Sequence, residues 1–183
     1  EQLSEKGRTY LSSVEDRTKA LKQLTEELFQ YTVASSDTEE LALSKVCLNG
    51  VLEKSISSYY VVLTQHDIIP QITIPDQKVE RMVNENALSR VIGNIISNAV
   101  KYSDGDLKIS LQTDGTLTFS NHAAGLTEVQ VGRLFDRFYT VSNARKSTGL
   151  GLSIAKTLIE KMGGTITAAY ADSVLTICMK FDA

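Results

Sequence analysis

Asn94 and Asn98 stand four residues apart in "NIISNAVKYS" (94–103), with Arg90 and Lys101 close by. That spacing puts both carboxamides on one side of a helix. Leu88, Val91, Ile92, Ile95, Ile96 and Ala99 form the opposite, core-facing stripe. A carboxamide oxygen is a hard, neutral ligand, suited to a Mg²⁺ ion that keeps several waters and is otherwise bound by substrate phosphates. Phosphates need a cradle, and "STGLGLSIAK" (147–156) offers one. Gly149 and Gly151 sit where a helix begins, so bare amides and the positive end of the helix dipole face whatever lies in front. The motif is no dinucleotide fingerprint, because no strand leads into it and a third glycine is missing. It is no P-loop either, lacking the terminal Gly-Lys-Ser/Thr. In a third stretch, "FSNHAAGL" (119–126), a strand runs out into Asn121, small residues and Gly125. A carboxamide there can pair with the edge of a flat ligand that approaches the backbone closely. A purine fits. Singly, each stretch also reads as an ordinary turn. Together they describe a nucleotide site in which Asn98 gives magnesium its protein oxygen and Lys101 or Lys146 offsets charge.

The elements that must carry these residues follow from periodicity. Tyr10, Val14, Leu21, Leu24, Leu28 and Tyr31 make a coiled-coil or helical-hairpin seam over residues 1–33, broken by Arg17. One amphipathic helix cannot bury its own stripe, so this segment needs a partner helix unless it folds back on its own domain. After the polar "ASSDTEE", short strands and helices alternate, predicting a mixed α/β sandwich. Leu41–Cys47 reads as a strand. A helix from about Gly50 to Gln65 follows, capped by Asn49. Ile69–Ile74, with prolines at 70 and 75, reads as an edge strand, and Val79–Val83 as another. Asn84 caps the asparagine-bearing helix. Leu107–Gln112 and Leu117–Ser120 flank Asp114-Gly115 as a hairpin. A loop-rich tract runs from Asn121 to Thr148, then a helix from Leu150 to Met162, stopped by Gly163-Gly164, and a last hairpin of Thr165–Tyr170 with Val174–Phe181.

Composition narrows the classes. The 183 residues are 42% hydrophobic with a net charge of −3 and a pI near 5.5, which gives no electrostatic case for nucleic acid. Cys47 and Cys178 lie far apart in apolar runs and read as buried free thiols of a reducing compartment. The sequence has no run of membrane-span length. Opening at Glu1 inside a helical pattern, the chain reads as part of something longer.

From about residue 10 onward the chain resembles the sensor histidine kinases of bacterial two-component systems. Their ATP-binding domain belongs to the superfamily shared with DNA gyrase B, Hsp90 and MutL. The family's N box matches "NIISNAVKYS", its G1 box "NHAAG", its F box "RLFDRFY" and its G2 box "STGLGLSIAK", four boxes in order. The resemblance implies an α/β two-layer sandwich, a mixed sheet covered on one face by about three helices. Residues 1–36 resemble the second helix of the dimerisation and phosphotransfer hairpin, and 37–183 the catalytic domain. It implies ATP and Mg²⁺ as ligands, with Asn98 on the metal and Asn94 and Lys101 near the phosphates. Tyr102 and Leu152 line the pocket, Asn121 and Gly125 receive the base, and Thr148, Gly149, Leu150 and Gly151 meet the phosphates. Phe135, Phe138 and Tyr139 anchor a lid, roughly 140–148, whose Arg145 and Lys146 clamp the terminal phosphate. Implied partners are a response regulator, the phosphoacceptor hairpin of the parent kinase and a second copy of that parent. The implied setting is the cytoplasmic side of a membrane-anchored protein.

Departures from the pattern carry expectations too. ATPase branches of the superfamily place a water-activating glutamate where this chain has Asn94, and an amide takes no proton from water near neutral pH. Transfer to a histidine is therefore favoured over hydrolysis. The aspartate that accepts the adenine amino group is Asn121 here, and the glycine two places on is Ala123. A neutral acceptor lowers that contact from roughly 1.5–3 to roughly 0.5–1.5 kcal/mol. An amide can also rotate to donate, weakening discrimination against guanine. Ser147 replaces a glycine and stiffens the lid, and Thr140 stands where many relatives carry a basic residue. No phosphoacceptor motif occurs, and His66 and His122 read as structural or exposed. The alternative reading is a non-catalytic dimerising signalling module with a degenerate nucleotide site. A third, an ATP-hydrolysing clamp, is discouraged by Asn94.

Overall fold

The computed structural model describes residues 4–36, 41–141 and 147–181. The chain runs through helix α1 (Glu5–Ser35), strand β1 (Ser44–Cys47), helix α2 (Leu48–Gln65), strands β2 (Gln71–Thr73) and β3 (Glu80–Val83) and helix α3 (Glu85–Tyr102). Strands β4 (Lys108–Leu111) and β5 (Leu117–His122), helices α4 (Glu128–Gly132) and α5 (Gly151–Lys161), and strands β6 (Thr165–Ala171) and β7 (Val174–Lys180) follow.

Alternation along the strands sets the layering. Ile109, Leu111, Leu117, Phe119, Ile177 and Met179 point into one core shared with the apolar stripes of α2, α3 and α5. The intervening residues pair hydroxyls across strands on the other face, Ser110 with Thr118 at 2.6 Å and Ser120 with Thr176 at 2.9 Å. The five-stranded sheet has the order β2-β4-β5-β7-β6, with β2 parallel to β4 and the other pairs antiparallel. This is the expected mixed sheet of a two-layer sandwich. Strands β1 and β3 form a separate antiparallel ribbon that the sequence reading had not set apart.

Local signals hold at several ends. Asn84 accepts the amide of Ala87 and opens α3. Gly115 at φ +88° turns the β4–β5 hairpin, and Gly163 at φ +73° ends α5. Asn49 is a correction. Cys47 holds the cap position of α2, and Asn49 lies inside the first turn. Its side chain accepts from Val79 N at 2.9 Å and donates to the carbonyls of Pro75 at 2.9 Å and Gln77 at 3.2 Å. Three bonds that close the β2–β3 connection outweigh one local cap bond. The first strand is shorter than expected, and Ile69 lies outside β2. The presumed loop tract contains α4, opened by a capping box between Thr127 and Gln130. Cys47 and Cys178 are free but only half-buried, and burial raises the pKa of the Cys178 thiol.

Helix α1 buries Ala34 and part of Tyr31 against the rest of the chain, while Tyr10, Val14, Leu21 and Leu28 stay exposed. Among the described residues no helix is long and apolar enough to cross a membrane.

Candidate nucleotide site

One face of α3 and the start of α5 enclose a cavity of about 280 Å³. Helical spacing brings Asn94, Ser97, Asn98, Lys101 and Tyr102 along one wall. Ser147, Thr148, Gly149, Gly151 and Leu152 form the wall opposite, with Ala123, Ala124, Leu126 and Leu175 on the sheet side and Leu134, Tyr139 and Thr140 at the mouth.

The turn before α5 is tightly held. Gly149 has φ +71°, and a Cβ there would lie 2.6 Å from the carbonyl carbon of Phe138 and 2.7 Å from the nitrogen of Tyr139. Phe138 donates its N–H to Gly149 O at 3.0 Å. Only glycine combines that φ with that approach. On the other side, Asn94 Nδ2 donates to Gly151 O at 2.9 Å, tying the turn to α3. No side chain caps α5. Its first-turn amides, at the positive end of the helix dipole, are left for an anion. Leu150 N bonds Thr148 Oγ1 at 3.3 Å. Asn98 is half-buried, and its side chain makes no hydrogen bond among the described residues. Its carboxamide oxygen is therefore open to a ligand, in keeping with a Mg²⁺ that sits among phosphates.

The strand end opposite is fixed by two carboxylates that the motif reading had not singled out. His122 N donates to Asp106 Oδ1 at 2.7 Å, and His122 Nδ1 lies 2.9 Å from Asp106 Oδ2. Asp104 accepts from Ala124 N at 3.3 Å and donates its own N–H to His122 O at 3.0 Å. Burial pushes the Asp106 carboxyl up, but bonds and charge from His122 more than reverse this and leave it below its ordinary value.

Nine of the residues singled out in the sequence thus line one cavity: Asn94, Asn98, Lys101, Tyr102, Tyr139, Thr148, Gly149, Gly151 and Leu152. Four do not. Leu150 is fully buried behind the turn. Gly125, at φ +81°, lies outside the lining. Phe138 is 58% exposed and meets the turn through its backbone N–H. Asn121 is 6% exposed and gives Nδ2 to His122 O at 2.9 Å. That bond orients the amide and opposes the rotation expected of it. Arg145 and Lys146 lie outside the described residues. Glu27 of α1 also lines the cavity and accepts the Thr148 hydroxyl. It lies in the segment read as a coiled coil, and no local pattern marks it.

Comparison with known proteins gives the family and the fold. Residues 83–182 match the family described as histidine kinase-, DNA gyrase B-, and HSP90-like ATPase. The sensor histidine kinase YcbM of Bacillus subtilis is 31% identical over 93% of this chain and 58% of its own length. The sensor protein kinase WalK of Staphylococcus haemolyticus is 26% identical over 87% of this chain and 28% of its own. The chain therefore spans only part of these relatives. Among solved structures, the Acinetobacter baumannii histidine kinase AdeS superposes with a TM-score of 0.76 at 22% identity, covering 100% of this chain and 86% of that one. Full-length ShkA in complex with AMPPNP gives 0.75 at 20% identity, covering 98% and 39%. These two likenesses establish the fold.

Proposed function

The chain belongs to the histidine kinase-, DNA gyrase B- and HSP90-like ATPase family, and from that membership we propose that it is the ATP-binding catalytic part of a sensor histidine kinase. The observation that carries this reading is the convergence of Asn98, Lys101 and Tyr102 with the uncapped start of α5 on one cavity. Residues 37–183 form the catalytic unit in this reading, and 1–36 the second helix of the dimerisation hairpin. The exposed stripe of α1 supports a partner helix.

The first-turn amides of α5 hold the phosphates, Lys101 offsets their charge, and Tyr102 and Leu152 wall in the nucleoside. Asn98 offers its carboxamide oxygen to Mg²⁺, which neutralises phosphate charge when bound. In the transfer, the bond from the γ-phosphorus to its bridging oxygen breaks, ADP leaves, and a ring nitrogen of a histidine outside this chain takes the phosphoryl group. Water is a poor competitor because Asn94 has no carboxylate and its amide is committed to Gly151 O. The phosphohistidine then serves an aspartate of a response regulator. The parent is a homodimer anchored in the membrane with this part on the cytoplasmic side.

Calorimetric titration of a nonhydrolysable ATP analogue, with and without Mg²⁺, tests the reading. Binding should tighten with magnesium, and Asn98→Ala should abolish that increment. Equal affinity in both buffers would instead support a non-catalytic dimerising module.

A further inference from the structure

Glu27 lies far outside the matched region, yet it shares the cavity with Asn98 and Gly149. Its Oε2 accepts the hydroxyl of Thr148, which itself accepts Leu150 N–H at 3.3 Å. An amide, a hydroxyl and a carboxylate thus form a chain leading out from the start of α5. The carboxylate lines the cavity next to the uncapped start of α5, where the helix dipole favours an anion. Polar contacts hold α1 there. Lys161 Nζ donates to Ser36 O at 2.6 Å, and the Arg137 guanidinium lies 4.8 Å from the centre of the Tyr31 ring. Farther up the helix Tyr10, Val14 and Leu21 are exposed. Helix α1 is therefore fastened near its C-terminal end, at the mouth of the site.

We propose that Glu27 sets the phosphate-charge selectivity of the nucleotide site: while α1 is docked, its carboxylate stands in the cavity beside the uncapped start of α5 and opposes each added phosphate. This rests on the nucleotide-binding reading above. Like charges in a partly enclosed cavity are screened less than on an open surface, so the opposition grows from nucleoside to triphosphate. By linkage, a triphosphate that binds must favour release of α1, and release of α1 must favour the triphosphate by the same factor.

The 183-residue chain and its Glu27→Gln variant are titrated with adenosine, ADP and a nonhydrolysable triphosphate, all with Mg²⁺. Glutamine keeps an oxygen for the Thr148 hydroxyl and removes the charge. Adenosine affinity should stay within about twofold, while ADP tightens about two- to threefold and the triphosphate about five- to tenfold. Glu26→Gln is the control, since Glu26 is exposed and pairs with Lys22, and it should change none of the three. In the unmodified chain, amide exchange over residues 24–35 should accelerate more with triphosphate than with adenosine. A uniform change across the three ligands overturns the proposal. So does weaker triphosphate binding by the variant, which would make Glu27 a magnesium ligand. If the unmodified chain binds no adenine nucleotide, the function reading itself falls; if it binds all three and the variant leaves the ladder unchanged, only the role of Glu27 falls.

Discussion

Asn94 and Asn98 are one helical turn apart and chemically identical, yet the structure gives them opposite tasks. Asn94 Nδ2 donates to Gly151 O at 2.9 Å, whereas the Asn98 carboxamide has no hydrogen-bond partner among the described residues. Replacing Asn94 by the isosteric Asp removes a donor and turns a carboxylate oxygen toward a carbonyl. The lost bond is worth about 0.5–1.5 kcal/mol, and the carboxylate oxygen left facing the carbonyl without a donor costs about 1–3 kcal/mol when fully buried, while Gly151 O keeps its helical bond from Ala155 N. Asn94 is half-buried, so water repairs part of the damage and about 2 kcal/mol remains. For a chain of this size each kcal/mol lowers Tm by about 2–4 °C. Asn94→Asp should therefore melt about 4–8 °C lower without ligand, while Asn98→Asp stays within about 0.5 kcal/mol of the unmodified chain. Circular-dichroism melts of the three ligand-free proteins give the comparison. Equal melting of the two variants, or a larger loss at Asn98, would refute the assignment of Asn94 to the α3–α5 junction and Asn98 to ligand.

Two glycines of positive φ should respond unequally to alanine. Gly149→Ala meets the backbone of Phe138 and Tyr139 and should cost at least about 2 kcal/mol, whereas Gly125→Ala has no neighbour within 4 Å and should cost about 1 kcal/mol, as read from urea midpoints. The depressed Asp106 carboxyl stabilises the fold above its unfolded pKa, near 3.9, and this is lost as pH falls through the lower folded value. Asp106→Asn should flatten the decline of urea stability below about pH 4 and leave the profile above about pH 5 unchanged in shape. Asn121→Asp loses the donor to His122 O and should lower the urea midpoint by the equivalent of about 0.5–1.5 kcal/mol.

Periodicity and turn chemistry act over a few residues, so they are written in the chain itself. The apolar stripe of α3, the caps at Asn84 and Gly163, the Asp114-Gly115 hairpin and the glycine turn before α5 could all be read without coordinates. So could the grouping of Asn98, Lys101 and Tyr102 on one helix face, because helix geometry alone puts them there. The capping box of Thr127 and Gln130 is equally local, but it opens a helix of only five residues inside a loop-rich tract, too short for apolar periodicity to mark it. Side-chain partners across the fold are a different matter. Asn49 bonds Val79 across 30 residues, Asn94 reaches Gly151 across 57, and Glu27 reaches Thr148 across 121. Whether an asparagine caps its own helix, staples a neighbouring one or stays open to a cavity depends on what the packed elements bring within 3 Å of it. Residue type and spacing thus settled the fold class and the kind of ligand. Only the packing of α3, α5 and α1 around one cavity decided which of two like asparagines is open to that ligand, and that a carboxylate from a remote helix shares the site.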